Sequence, residues 1–71
     1  MTKDEIKRRL EATPFMPFKV KVAGGGEFDV PSRDHAHLHP QGRVLTIFID
    51  EGGTEIVDVA LVSSLYIKEA A

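Results

Sequence analysis

Val44-Leu45-Thr46-Ile47-Phe48-Ile49 is the stretch on which the fold turns. Nearly every side chain in it is β-branched or aromatic, the types that suit a pleated, half-buried surface. Side chains alternate faces along a strand, so Leu45, Ile47 and Ile49 share one face and Val44, Thr46 and Phe48 the other. Both faces are apolar. Such a strand needs cover on both sides, from a helix, a connecting segment or another subunit.

On the C-terminal side, Asp50-Glu51-Gly52-Gly53 turns the chain and residues 54–59 return as a strand. Ala60-Leu61-Val62-Ser63-Ser64 reads as a single tight helical turn, Leu65-Tyr66-Ile67-Lys68 as a last short strand, and Glu69-Ala70-Ala71 as a frayed end. On the N-terminal side, Pro40-Gln41-Gly42-Arg43 has the composition of a turn. It follows a short strand, 35–39, with Ala36 and Leu38 inward; Ser32-Arg33-Asp34 bends the chain before that. Phe28 and Val30 alternate with Glu27 and Asp29, and Pro31 ends their strand. Phe18, Val20 and Val22 alternate with Lys19, Lys21 and Ala23, and Gly24-Gly25-Gly26 makes the hairpin between these two strands.

Before the first strand, Pro14-Phe15-Met16-Pro17-Phe18 is a stiff connector whose two prolines remove two backbone donors. Phe15 and Phe18 are its anchors. Thr2-Lys3-Asp4-Glu5 has the form of a capping box, and Ile6 and Leu10 give a narrow apolar stripe four residues apart. Pro14 bars Thr13 from the helical region, so the helix stops near Ala12. A helix of that length does not hold alone in water.

The reading is one mainly β (α+β) domain over 1–71. A helix over about 3–12 and a connector over 13–17 precede a strongly bent, five- to six-stranded antiparallel sheet over 18–68, closing as a small barrel. A domain of 71 residues buries only about 60% of its unfolded surface, so it relies on very regular packing, a metal or self-association. Cysteine is absent, which removes disulfides, thiolate metal sites and cysteine nucleophiles. With 9 basic and 11 acidic residues the net charge is −2, which gives no general field for nucleic acid. Lys3, Lys7, Arg8 and Arg9 nevertheless crowd the N-terminus, and most acids lie in the second half. No apolar run of about 18 residues exists to span a membrane. The charged N-terminus lacks the apolar core of a signal peptide, and the expectation is a cytoplasmic protein.

All three histidines, His35, His37 and His39, stand at alternate positions. In a strand they would share one face about 6.5–7 Å apart, close enough for two imidazoles to hold Zn²⁺, with Asp34 or Glu27 as a further ligand. The plain alternative is a row of solvent-facing polar residues. Ser63 and Ser64 with Asp58 and a histidine lack the sequence context of a nucleophile, and a hydroxyl there suits a cap or turn. The expectation is a protein that is not an enzyme and needs no cofactor. Val44, Phe48, Val57 and Val59 are read as an apolar outer patch, covered by the N-terminal helix or by another subunit.

The order helix, two-proline connector, glycine hairpin, long strand, hairpin, helical turn and final strand resembles the Sm-like branch of the SH3-like small barrels. Val57-Asp58-Val59-Ala60-Leu61-Val62-Ser63-Ser64-Leu65-Tyr66-Ile67 is similar to the fourth strand, short turn and fifth strand of that fold, and Asp34 to the Asp that opens its third strand. The resemblance implies a homo-oligomer, since Sm-like barrels join strand edges into rings. It also implies RNA as a partner, although the Asn and Lys/Arg-Gly motifs of the RNA-binding pore are absent here. Pro14-Phe15-Met16-Pro17-Phe18, Phe28-Asp29-Val30-Pro31, Gly42-Arg43 and Val62-Ser63-Ser64-Leu65 also look like segments of short bacterial proteins of unknown function. The expected role is therefore an interaction or assembly module that binds itself or another protein. RNA binding through Lys3, Lys7, Arg8 and Arg9 is the first alternative, and a histidine metal site the second.

Overall fold

Lys3–Glu11 forms the α-helix (α1) of the computed structural model, which describes residues 1–68; the expected fraying of residues 69–71 lies outside the described residues. Ile6 and Leu10 are the buried residues of α1, as their spacing requires. The capping box does not form: the Thr2 side chain makes no cap bond, and the Glu5 carboxylate instead accepts from Arg8, 3.2 Å away. The carboxylate at the third helical position can satisfy a full guanidinium one turn on rather than a single amide.

Six strands follow: β1 Phe18–Val22, β2 Glu27–Val30, β3 Ala36–Leu38, β4 Val44–Phe48, β5 Thr54–Asp58 and β6 Val62–Ile67. They make two three-stranded antiparallel sheets, in the orders β2-β1-β6 and β3-β4-β5. The chain passes between the sheets twice, each time through one 3₁₀ turn: Arg33–His35 between β2 and β3, and Val59–Leu61 between β5 and β6. The second turn begins earlier than its sequence suggests, because the Asp58 carboxylate accepts from Ala60 N at 2.9 Å and starts it there. Val62, Ser63 and Ser64 then belong to β6.

A single apolar cluster joins everything. It takes Ile6 and Leu10 from α1, Phe18, Val20, Val30 and Val62 from the first sheet, Leu45, Ile47 and Val57 from the second, and Val59 from the crossing. Phe15 packs on Phe18 with ring centroids 5.9 Å apart, so the connector pins the helix to β1 as expected. Two readings of the outer patch need correction. Val57 and Val59 lie inside, at 6% and 4% exposure, since β5 pairs Val57 with the inward Leu45 and directly opposed residues share a face. Ile6 and Leu10 do not cover the outer face of β4, because α1 packs into the same inner cluster as Leu45 and Ile47.

The described helix is too short to cross a membrane. Its integration into the core has a measurable consequence. Ile6 is fully buried, and truncating it leaves a cavity shared by helix and both sheets, so Ile6→Ala should lower unfolding free energy by about 2–4 kcal/mol. Urea denaturation checks this, and a loss confined to helical signal would mean that α1 docks as a separable appendage.

Candidate functional site

The three histidines do not form a row. The 3₁₀ turn ends at His35, which breaks the period of two before β3 begins. His35 is committed within the protein: Nε2 lies 2.8 Å from Asp50 Oδ1 and Nδ1 lies 2.7 Å from Ser32 Oγ. An ionised carboxylate only accepts, so Nε2 donates to Asp50, and Nδ1 shares a hydrogen bond with the Ser32 hydroxyl. The imidazole thus ties the first crossing between sheets to the hairpin after β4. His37 is exposed and opposite Thr46 on β4. His39 Nδ1 accepts from Gln41 N at 3.1 Å and helps close the turn before β4. Among the described residues no group of three or more His, Cys, Asp or Glu side chains is gathered as a metal ion requires.

The four N-terminal cations are also dispersed. Arg8 pairs with Glu5, and helical geometry turns Arg8 and Arg9 away from the face that Lys3 and Lys7 share. Lys3 and Lys7 instead line a cleft of about 430 Å³ between α1 and β3, together with Arg33, His37 and His39. Ser63 Oγ donates to Lys21 O at 3.0 Å and Asp58 caps the second 3₁₀ turn, so the serine-based constellation is dispersed into backbone support.

Arg33 has no counterpart in the sequence reading beyond a bend. Its Nε donates to Leu10 O at 2.7 Å and its Nη2 to Ala12 O at 2.5 Å, while the guanidinium lies 5.6 Å from the centroid of the Phe15 ring. It therefore caps the end of α1 from more than twenty residues away. The one signal for it is indirect: the helix ends without a glycine, leaving its last carbonyls in need of donors.

The outer faces of the two sheets differ. Outside the first, Lys19 and Lys21 stand 3.9 and 3.6 Å from Asp29 and Glu27 across the β1–β2 pair, and Lys21 also lies over Tyr66. Outside the second, Val44, Thr46 and Phe48 stand opposite Asp58, Ile56 and Thr54 on β5. Phe48 is 45% exposed and Ile56 70%. Of the expected patch Val44, Phe48, Val57 and Val59, the first two are on this face, and Ile56 takes the place of the two valines.

Comparison with protein-family models, with curated proteins and with solved structures gives no match for this chain.

Two substitutions weigh these contacts. Arg33→Met keeps the aliphatic stem and removes both charge-assisted bonds, and should cost about 1.5–3 kcal/mol of stability. Asp50→Asn, at an exposed bond, should cost about 1 kcal/mol or less. Denaturant midpoints check the order, and a larger loss at Asp50 than at Arg33 would reverse the roles assigned to them.

Proposed function

We propose that this protein is a small non-enzymatic assembly module that associates with further copies of itself through the outer face of the β3-β4-β5 sheet. The observation that carries the reading is the exposure of Phe48 and Ile56, two large apolar side chains at diagonal positions of the β4–β5 ladder, on a face without charged pairs among the described residues. Helix and connector are both spent on the inner cluster, and Met1 and Lys3 border only the Val44 and Ile56 part of the outer face, so Phe48 and Ile56 stay exposed. The strand at the end of that sheet, β5, has a neighbour on one side only, and an unpaired edge is a template for another chain.

The fold reading that accompanies this is an SH3-like barrel of the Sm-like kind, with the expected single bent sheet divided into two three-stranded sheets. Two features support it: a single core shared by two sheets, and two short crossings placed so that β2 runs into β3 and β5 into β6. Assembly by strand edges is what that resemblance implies.

Light scattering across a concentration series is the test. The expected result is a mass of two or more protomers at micromolar concentration, falling to one protomer in Ile56→Glu. Ile56 is so exposed that this change should alter monomer stability by no more than about 0.5 kcal/mol. A single-protomer mass at high concentration would overturn the reading.

A further inference from the structure

We infer that the cleft between α1 and the edge of β3 binds a small molecule with a compact anionic head, a phosphate or a carboxylate, and an apolar body. The cleft encloses about 430 Å³, within the range of small-molecule sites. Lys3 and Lys7, one turn apart on α1 with Asp4 between them in sequence, line the cleft together with His39 and Gly42, while Glu11 stands toward the end where Leu10 and Arg33 lie. Neither lysine forms an ion pair among the described residues, so their charge is available to a ligand.

Two contacts prepare the donors. The stem of Lys3 lies across Gly42: a Cβ added at that glycine would meet Lys3 Cδ at 2.3 Å and Cβ at 2.6 Å. Gly42, with φ at +75°, leaves the space in which the stem of the lysine is laid down. His39 accepts from Gln41 N at Nδ1, so its neutral ring carries the proton on Nε2, a donor that makes no bond within the described protein. Two lysines and one imidazole N–H thus line the same cleft, donors of the kind that suit a compact oxyanion.

Asp4 and Glu11 set the limit on what binds. Both line the helix side of the cleft and repel a second anionic group, which selects against a polyanion such as RNA. Leu10 and Leu38 offer the ligand body an apolar floor between them.

The test is an NMR titration at low ionic strength with phenyl phosphate, benzoate, inorganic phosphate and a short single-stranded RNA, following the His39 and His37 ring signals and the amides of α1. Saturable shifts with phenyl phosphate, benzoate or both are expected, and the stronger of the two identifies the head group. Phenyl phosphate should bind more tightly than inorganic phosphate, because the ring gains the apolar floor. The double variant Lys3→Gln/Lys7→Gln should weaken binding at least about tenfold, whereas Lys19→Gln/Lys21→Gln, on the far sheet, should leave it within about twofold. Glutamine keeps most of the Lys3 stem over Gly42, and a melting curve confirms that the fold is retained. Absence of saturation with both organic probes, equal binding in the two double variants, or saturation with RNA alone would each overturn the inference.

Discussion

The guanidinium of Arg33 gathers three parts of the chain that otherwise meet only through the shared apolar cluster. Its two bonds satisfy carbonyls at the end of α1, and its face rests on Phe15 in the connector, while its backbone belongs to the first crossing between the sheets. A nine-residue helix has too little cooperativity to persist alone. Ile6 and Leu10 supply its affinity for the core, but apolar burial is non-directional. Arg33 adds direction, since a planar fork must meet its acceptors in a fixed geometry. Arg33 also lines the cleft between α1 and β3, beside the helix end that it caps.

The same crossing explains which parts of the fold are legible in the sequence. Alternation of apolar and polar residues marks β1 and β2, and a β-branched and aromatic run marks β4, because each sheet has one face on a shared core and the pleat imposes a period of two. Gly-containing turns mark the hairpins for equally local reasons. The histidines read wrongly because one 3₁₀ turn, three residues long, removes His35 from the strand and leaves the alternation intact on paper. Arg33 is illegible for a different reason: its partners are 21 and 23 residues away, and no local pattern encodes such a bond.

The β5 strand shows how one residue of register carries a whole surface. Ile56 and Val57 are neighbours of similar hydrophobicity, and either could face the core. The sequence 54–59 holds two period-two sets, one with Ile56 alone and one with Val57 and Val59. Pairing of Leu45 with Val57 puts the second set inside, where two valines bury more apolar surface than one isoleucine. A one-residue slip would exchange the sets. Ile56 is therefore outside as a consequence of how the core is filled, and its 70% exposure is the residue of that choice.

Whether the exposed face matters is a question the molecule frames by its own contrast. Both sheets have three strands and both lie over one core, yet the outside of the first carries alternating charges across β1 and β2. Exposed pairs of that kind add little stability, so their value is solvation of the face and discouragement of association. The second sheet forgoes that protection across Val44, Phe48 and Ile56. The order β3-β4-β5 puts β5 at one edge and the cleft beside α1 at the other, along β3, with Lys3 and Gly42 bordering both the cleft and the Val44 and Ile56 part of the outer face. Pairing along the β5 edge leaves the Lys7 and Leu10 part of the cleft open. A ligand in that cleft would touch α1, β3 and the Arg33 anchor, the elements that fix the helix, and would leave the assembling edge free.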